Sequence, residues 1–498
     1  MSVGYSTIPS DLRVPLFYAE VDGSMANSGM TTLRRLLVGQ VNDTAEGEEV
    51  GKLSIVSRTT EARAIAGDGS MLAAMHKQLR AIDPAGEVWC LPLKVTEGAV
   101  ATATVTLAGT VSQAGLINLY VAGQRVQATA VNQSTAAVVA TALAKKINDS
   151  IDLPVTAAAV EGVVTLTSKF KGLLANDIQV AVNRLGRVNG EVTPAGLTVV
   201  LTPMAGGLGT PDMAAALAAL GDEPFEFIGQ PWTDTPTLDA WEDTMDDSAG
   251  RWSWAKQIYG HVYSARRGTL GEHVAAGKVR NDPHMTVLGF EKGIPQPAWE
   301  VTAQLTARTA VFISADPACP TQTGKLSGID PAPFSERFML TEFQSLLGYG
   351  VATANYDGGS MCIQRAVTTY QRNAYNQPDD SYLDSETLHQ SAHVLRYLRN
   401  RITSKYGRHK LANDGTNFGP GQRIVTPLVI RGELIAAYGE LERAGIVENM
   451  EMFKANLIVE RDPQNPNRLN VLFPPDLVNQ LRLFALLYQF RLQYPEAA

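Results

Sequence analysis

The chain has 498 residues, of which 45% are hydrophobic and 18% are charged, a composition that excludes wholesale disorder and predicts roughly two to four globular domains. Its formal net charge of −8 argues against a protein that binds nucleic acid over its whole surface. The cysteines Cys90, Cys319 and Cys362 are widely spaced, which indicates a reducing compartment and no disulfide framework.

Residues 1–25 are predicted to form an extended N-terminal arm. In "RVPLFYAEV", Val14, Leu16 and Tyr18 alternate with Phe17 and smaller residues, and the proline in this stretch disfavours a central position in a sheet. The stretch "SMANSGM" that follows is predicted to be a flexible joint.

An alternation of strands and helices predicts an α/β domain made of residues 26–95 and 208–330. "RRLLVGQV", "KLSIVS" and "EVWCLPL" are predicted strands, with a helix pair broken at Gly67 and Gly69 between the last two. Three strand–helix units follow at a spacing of about 30 residues, beginning with "FEFIGQPW", "IYGHVYSA" and "MTVLGF", and "AVFISAD" is predicted to close the series as a strand. Such βαβ crossovers predict a mainly parallel, Rossmann-like core.

Residues 96–207 differ from their surroundings and are predicted to form an inserted, mostly β domain. They are rich in Ala, Val and Thr, with two-residue alternation in "TATVTL", "LINLYV" and "RVQATAV". Only "STAAVVATALAKKIND" has helical character within this segment.

Residues 331–480 are predicted to form a C-terminal α+β domain, and residues 481–498 an extended C-terminal arm. Long strand-like runs, "TANYDGGSMCIQRAVTTYQRN" and "NRLNVLFPPDLVNQLRLFALLYQF", flank a helical middle. The final run from Leu477 to Tyr494 is about three times as long as a usual strand. Both of its faces are apolar around the middle, which is typical of a strand in a covered sheet.

A helix is the alternative for this final run, because Leu477, Leu481, Phe484 and Tyr488 match helical spacing and "PPD" before them is able to open a helix. A strand is favoured since the residues from Leu481 onwards alternate and are rich in Phe, Tyr and Leu. An unpaired strand end exposes backbone donors and acceptors. The segment therefore either packs into its own core or joins a neighbour's sheet by β-augmentation, and donated arms build rings or helices.

No complete nucleotide-binding or catalytic motif is found. "AIAGDGSM" lacks a third glycine, "TQTGKLSG" has Leu326 where Ser or Thr would bind magnesium, and "GTNFGPGQ" has Pro420 where a backbone donor is needed. His389 and His393 have the spacing of a helical zinc pair, but Gln390 replaces the glutamate of a metalloprotease, and a solvated or half-buried helix edge is the favoured interpretation. "DGGSM" is predicted to be a β-turn. We therefore predict neither enzyme activity nor a cofactor or metal.

No export signal or membrane insertion is expected. The N-terminus lacks a basic start followed by a continuous apolar run, so no signal peptide is predicted. The most apolar stretch, Leu483 to Phe490, has eight residues, whereas a bilayer span needs about 20.

One run of charge stands out in this acidic chain. Residues 396–410 contain six basic residues and no Asp or Glu. The basic residues are Arg396, Arg399, Arg401, Lys405, Arg408 and Lys410. Such a run at a helix end is suited to an acidic partner, where charge complementarity sets registry and association rate. The alternative is a cation-rich last turn that only favours the helix dipole.

Several stretches together resemble the tail sheath protein of Mu-like contractile-tailed phages. They are "IPSDLRVPLFYAEVD", "GDGSMLAAMHKQLRA", "EVWCLPL", "DGGSMCIQRAVTTYQRN", "SETLHQSAHVLRYLRNRITSKYGRHKLANDG" and "LNVLFPPDLVNQLRLFALLYQFRLQ". The resemblance runs over nearly the whole chain, including the inserted domain.

This resemblance implies a structural subunit of the virion tail that is assembled in the bacterial host cytoplasm. In such phages, hexameric sheath rings stack around a tail tube and contract to drive the tube through the host envelope. The implied partners are further copies of the chain, the tail tube protein, and the baseplate and tail terminator proteins, with no direct contact to nucleic acid. A sheath of a phage-derived bacteriocin or secretion system, and a Rossmann-like small-molecule enzyme, are the alternatives.

The resemblance also implies roles for particular residues. Terminal arms of adjacent subunits join the sheet of the C-terminal domain in this family, and the basic run from Arg396 to Lys410 becomes a surface facing the tube. The residues of this chain expected in the two arms are Val14, Leu16, Phe17, Tyr18, Phe484, Leu486, Tyr488, Phe490 and Leu492.

Overall fold

A computed structural model of the protein describes residues 33–419 and 421–493. The predicted N-terminal arm, with Val14, Leu16, Phe17 and Tyr18, lies outside the described residues. Within them the helices are α1 Thr59–Ala66, α2 Met71–Ile82, α3 Ala136–Asn148, α4 Met213–Ala219, α5 Thr235–Met245, α6 Leu270–Gly277, α7 Ala298–Ala315, α8 Leu340–Gly348, α9 Ser385–Tyr406, α10 Pro427–Arg443 and α11 Met450–Asn456.

The strands are short and spread over the described residues. In chain order they are β1 Arg35–Gln40, β2 Ser54–Ile55, β3 Val88–Leu93, β4 Val100–Gly109, β5 Gly115–Val121, β6 Gln124–Ala130, β7 Val155–Val160, β8 Val163–Lys171, β9 Val180–Val182, β10 Leu197–Leu201, β11 Phe227–Gly229, β12 His261–Gly268, β13 Met285–Glu291, β14 Lys325–Leu326, β15 Ala352–Asp357, β16 Ser360–Arg365, β17 Lys410–Leu411, β18 Ile424–Val425, β19 Val447–Glu448, β20 Ile458–Arg461, β21 Leu469–Leu472 and β22 Asp476–Leu477. The mixed α/β fold predicted from the sequence is confirmed.

A nine-stranded sheet with the order β14-β16-β15-β13-β12-β11-β1-β3-β2 is the centre of the molecule. The six strands from β15 to β3 run parallel to one another. At one edge β16 pairs antiparallel with β15 and β14 antiparallel with β16, and at the other edge β2 pairs antiparallel with β3. Parallel neighbours need crossover connections, which the strand–helix units of the sequence supply.

Two helices lie close against one face of this sheet. A Cβ atom added to Gly39 of β1 would lie 3.0 Å from the Cα atom of Leu72 in α2, and one added to Gly229 of β11 would lie 2.7 Å from Oγ1 of Thr306 in α7. Glycine therefore lets backbone and helix approach where a larger residue would separate them.

The predicted strand "AVFISAD" is wrong, because these residues are the last turns of α7. This helix has 18 residues, and every residue from Ala298 to Ala307 is buried. The mispredicted stretch is the less buried end of this helix, where Val311 and Phe312 are half-buried and Ser314 and Ala315 are exposed. Its short run of β-branched and aromatic residues has the local pattern of a strand.

The large sheet continues beyond residue 330, where the sequence placed the boundary to a separate domain of residues 331–480. The hairpin of β15 and β16 joins the sheet through Leu288 and Gly289 of β13, which pair with Ala352 and Thr353. The second half of the chain is therefore joined to the first by backbone hydrogen bonds.

The segment between β3 and α4 forms its own layers. Its strands make a four-stranded sheet, β10-β4-β8-β7, and a three-stranded sheet, β6-β5-β9. Helix α3 packs against strands of both sheets and buries Val139, Leu143 and Ile147. The segment is attached to the large sheet by a buried ion pair: Arg267 of β12 donates to Asp177 at 2.5 Å, and the same carboxylate accepts the Ala298 backbone N–H of α7 at 2.6 Å.

A smaller body is formed by the C-terminal part of α9, by α10 and α11, and by the strands from β17 to β22. Its apolar cluster includes Val394, Leu434, Tyr438 and Phe453, and the rings of Tyr438 and Phe453 stack with centroids 3.8 Å apart. Three two-stranded sheets surround it, β17-β18, β19-β22 and β20-β21.

Candidate assembly surfaces

The tail after β22 exposes its apolar side chains. Leu483, Leu487 and Leu492 are 86%, 91% and 96% exposed. The other exposed members are Leu481, Phe484, Leu486, Tyr488 and Phe490. Since the tail does not pack into the core of its own subunit, it presents an apolar surface that other proteins are able to cover.

The tail is neither a helix nor, within the subunit, the long strand that the sequence predicts. Only Asp476 and Leu477 are in a strand, and residues 478–493 form no regular element. The rings of Tyr488 and Phe490 stack with centroids 6.2 Å apart, so these residues share a side, as alternate residues of an extended chain do. The helix alternative is wrong, and the long strand lacks a partner among the described residues.

The root of the tail is fixed by hydrogen bonds to three parts of the chain. The Val478 N–H donates to the carbonyl of Ile446 at 3.1 Å, and Gln390 of α9 donates to the carbonyl of Val478 at 3.0 Å. Gln322, in the loop after α7, donates to the carbonyl of Leu481 at 2.9 Å. The path of the chain is therefore defined up to residue 481.

Arg482 follows and is buried. Its guanidinium lies 3.1 Å from Oε1 of Glu386 and 3.3 Å from Oδ1 of Asp384, at the start of α9. Its side chain is 13% exposed, whereas the next residue, Leu483, is exposed almost fully. The sequence showed an arginine interrupting an apolar run, and the two carboxylates that bind it lie about a hundred residues earlier.

His389 of α9 lies in the core, which corrects the predicted solvated or half-buried helix edge. Its Nδ1 atom lies 2.6 Å from Oε1 of Glu226 and its Nε2 atom 2.7 Å from the hydroxyl of Tyr263, while His393 is half-buried. Burial raises the pKa of Glu226, but the charge of Arg396 and the hydrogen bond with His389 outweigh it, so the net shift is downward. The described residues contain no group of three or more His, Cys, Asp or Glu side chains placed to hold a metal.

The basic run divides into two halves. Arg396 pairs with Glu226, and Arg401 donates to Glu433 at 2.5 Å and to Glu440 at 2.6 Å. Lys405 also pairs with Glu433. These three cations therefore already face acids of their own chain.

Glu433 shows how strongly these pairs interact. Burial raises its pKa, but hydrogen bonds from Lys405 and Arg401 reverse this and lower the pKa to about 2. The sequence did not reveal these pairs, because the acids lie on a different helix, α10.

The other half of the basic run faces solvent. Arg399, Arg408 and Lys410 are exposed, and Lys410 makes one hydrogen bond, to Gln422, at 3.1 Å. Arg399 lines a cavity of about 470 Å³ together with the cations Arg34, Lys256 and Arg396 and the acids Asp222 and Glu226. The cavity is therefore mixed in charge with cations in excess, and Arg396 already pairs with Glu226.

The crevice at the carboxyl ends of β1 and β11 is occupied by the inserted segment. In this strand order it is the place where ligands of open parallel sheets bind. The Gln40 side chain donates to the carbonyl of Lys171 at 2.7 Å, the Asp43 N–H donates to that of Lys169 at 3.0 Å, and Phe170 packs edge-on against Trp299. The inserted segment therefore covers the carboxyl end of β1, while a cavity of about 280 Å³ stays open beside the ends of β11 and β12.

No helix among the described residues combines the length and the apolarity that crossing a bilayer requires.

Comparisons with known proteins agree on one family. Residues 206–369 match the model of the phage tail sheath protein central domain, and residues 377–491 match that of the phage tail sheath C-terminal domain. The tail sheath protein of the Mu-like prophage FluMu from Haemophilus influenzae is 40% identical over 493 residues, which cover 98% of this chain and 100% of that protein.

Solved structures are similar at lower identity. The sheath tail protein of Desulfitobacterium hafniense is 14% identical with a TM-score of 0.49, covering 94% of this chain and 97% of the other. The helical sheath of the anti-feeding prophage in its contracted state is 10% identical with a TM-score of 0.47, covering 97% of this chain and 100% of the other.

Proposed function

The chain belongs to the phage tail sheath family, and we propose that it is the structural subunit of a contractile sheath, polymerised as stacked hexameric rings around a tail tube. The observation that carries this proposal is the tail from Leu483 to Leu492, whose large apolar side chains are exposed in the single subunit. In the polymer, contraction drives the tube through the host envelope, and the chain itself needs no catalytic site.

The tail serves as a strand donated to a neighbouring subunit. Fully extended, residues 483–493 reach about 35 Å beyond Arg482 at about 3.3 Å per residue, which is longer than most single strands. Pairing its backbone with another sheet satisfies the donors and acceptors that an unpaired strand leaves open. Residues 1–25, with Val14, Leu16, Phe17 and Tyr18, supply the second arm.

The hairpin of β20 and β21 is the acceptor that we propose for these arms. It pairs only with itself among the described residues, so both of its edges are open there. Ile458, Val471 and Leu472 are exposed on it, and apolar cross-strand pairs with the tail would stabilise the added strand.

The exposed half of the basic run faces the tail tube protein in this proposal. Three of these cations have no acidic partner among the described residues of the subunit, namely Arg399, Arg408 and Lys410. Acidic side chains on the surface of the tube would form ion pairs with them. Baseplate and tail terminator proteins are the further partners at the two ends of the sheath. The parallel sheet acts as a Rossmann-like scaffold whose edge at the end of β1 is covered by the inserted segment.

Electron microscopy of the purified protein at high concentration tests the function. We expect hollow striated cylinders with six-fold end views from the full chain, and soluble subunits without cylinders from chains lacking residues 1–20 or residues 484–498. Trp254→Ser is the matched control, because Trp254 is a large apolar residue, 83% exposed, outside both arms, and we expect it to polymerise normally.

Two results would contradict the proposal. Normal cylinders from either truncated chain would refute the role of that arm. Failure of the full chain to polymerise both alone and on purified tail tubes would refute the sheath subunit itself.

A further inference from the structure

At the root of the tail a charged residue is buried while the apolar residues on either side of it are exposed. Leu481 and Leu483 are 71% and 86% exposed, while Arg482 between them is largely buried. Apolar burial alone would favour the opposite arrangement. The position of Arg482 therefore depends on its charge partners.

Those partners are themselves tied into the body of the subunit. The Glu386 carboxylate, which is completely buried, accepts the N–H of Thr321 at 2.8 Å and its hydroxyl at 2.7 Å. Asp384 forms a two-pronged ion pair with Arg365 of β16, at 2.8 Å for each oxygen. Two-pronged arginine–carboxylate pairs are among the most direction-specific polar contacts in proteins.

A continuous series of contacts consequently leads from the tail to the large sheet. Arg482 contacts Asp384, Asp384 contacts Arg365, and Arg365 lies in β16, which pairs with β15 and β14. A second branch leads through Glu386 into α9, where His389 contacts Tyr263 of β12. Tension on the tail would reach the body through this series before it peels the hydrogen bonds at Val478 and Leu481.

We propose that Arg482, with Asp384 and Glu386, is the anchor of the tail: it fixes the point at which the tail leaves the subunit and transfers tension into β16 and α9. The anchor is a positioning device, and it acts through the tail rather than by contacting a neighbouring subunit. This inference rests on the proposed function, in which the tail is held by a neighbour while the subunits change their packing.

The test compares sheaths assembled from full-length Arg482→Gln, Arg482→Lys and Arg187→Gln chains. Arg187→Gln is the matched control, because Arg187 of the inserted segment is exposed, belongs to no ion pair among the described residues and lies outside the arms and the proposed tube-facing surface. The sheaths are sheared under identical flow, and fragment lengths are measured by electron microscopy. We expect Arg482→Gln sheaths to break into fragments at least three-fold shorter than wild type, while Arg187→Gln fragments match wild type.

In Arg482 the Nη2 atom lies near both carboxylates, and the Nη1 atom donates to Gln322 at 3.4 Å. A lysine keeps the charge but has a single nitrogen in place of these two, so we expect fragments of intermediate length from Arg482→Lys. Hydrogen exchange of the unassembled subunit gives a second readout: the amide of Val478, bonded to Ile446, should exchange at least ten-fold faster in Arg482→Gln and at an unchanged rate in Arg187→Gln.

Wild-type fragment lengths and wild-type exchange at Val478 in both Arg482 variants would overturn the anchor. That result leaves the proposed function intact as long as the chain lacking residues 484–498 fails to polymerise. Polymerisation of that truncated chain would instead refute the proposed function, so the two failures are distinguishable.

Discussion

Glu226, just before β11, connects the large sheet with α9. Its carboxylate contacts His389 and Arg396, and its side chain is 4% exposed. Removing one charge of a buried pair leaves the other uncompensated. We expect Glu226→Gln to lower the free energy of unfolding by about 3 kcal/mol, measured by urea denaturation below the polymerisation concentration.

Glu223 provides the control for this prediction in the same loop. It pairs with Arg34 at 2.5 Å, but its side chain is 50% exposed, and exposed pairs contribute about 1 kcal/mol or less. Equal losses in Glu223→Gln and Glu226→Gln would show that the buried network does not hold α9 to the sheet.

Glu300 of α7 makes stability depend on pH. Burial raises its pKa to about 7, against the lowering effect of the hydrogen bond from Gln78. The folded chain thus holds this proton more tightly than the unfolded chain, so ionisation destabilises the fold as pH rises from about 4.5 to about 7. We expect Glu300→Gln, which keeps an oxygen acceptor for Gln78, to be more stable above pH 7 by up to about 3 kcal/mol.

Thermal unfolding of the two proteins between pH 4.5 and 8 checks this prediction. The melting temperatures should converge at the acid end, where the wild-type carboxyl is protonated, and separate as pH rises. A difference that does not change with pH would refute the role of this proton.

At the scale of elements, Asp177 joins the inserted segment to α7 and β12 through Ala298 and Arg267. Asp177→Ala removes both contacts and leaves a buried guanidinium without its carboxylate. We expect a loss of about 3 kcal/mol in the free energy of unfolding and faster hydrogen exchange at the amide of Ala298. Asp177→Asn, which keeps the oxygen acceptor for this amide, should slow that exchange again.

The control for this prediction is Asp152, which pairs with Lys77 of α2 and with Arg63 of α1 and also joins the inserted segment to the core. Asp152 is 28%, Lys77 55% and Arg63 26% exposed. Because solvent screens both pairs, we expect Asp152→Ala to cost about 1 kcal/mol or less for each pair and to leave exchange at Ala298 unchanged. A smaller loss from Asp177→Ala than from Asp152→Ala would contradict the assigned contacts.

The sequence pattern identified correctly those strands and helices that are determined by residues close together in the chain. The strand predicted around Arg35–Gln40 and the helix pair broken at Gly67 and Gly69 were found, because alternation and glycine act over a few residues. "AVFISAD" was predicted wrongly because a short run of β-branched and aromatic residues has the same local pattern in a strand and at the end of a helix. The position of β15 in the large sheet depends on pairing with β13, about 60 residues earlier, which no local pattern encodes.

At the scale of the whole molecule, the candidate surfaces were only partly predictable. The tail could be identified in the sequence as an apolar run. A segment that packs against a neighbouring subunit needs apolar residues, as a segment of the core does. The basic run was visible as well, but its division into two halves depends on Glu226, Glu433 and Glu440, which approach it only after folding. Residues that act through distant partners, such as Arg482, stay hidden in the sequence.

This division determines how the proposed tube-facing surface is tested. Reversing the exposed cations in Arg399→Glu, Arg408→Glu and Lys410→Glu changes the charge presented to a partner and breaks no ion pair among the described residues. We expect co-sedimentation with purified tail tubes to fall at least ten-fold at low salt, with a smaller effect at high salt because screening weakens such contacts. Polymers of the sheath alone should form as before.

Arg401→Glu with Lys405→Glu is the matched control, because it reverses cations of the same helix that pair with Glu433 of their own chain. We expect this pair of substitutions to act on the subunit first: it places like charges beside a largely buried carboxylate and lowers the thermal stability of the body formed by α9 and α10. Tube binding that is unchanged in the triple variant would leave Arg399, Arg408 and Lys410 with only the helix-dipole role. Tube binding lost in the triple variant, with unchanged melting temperature and unchanged sheath polymers, would separate the tube-facing charges from those that hold the subunit together.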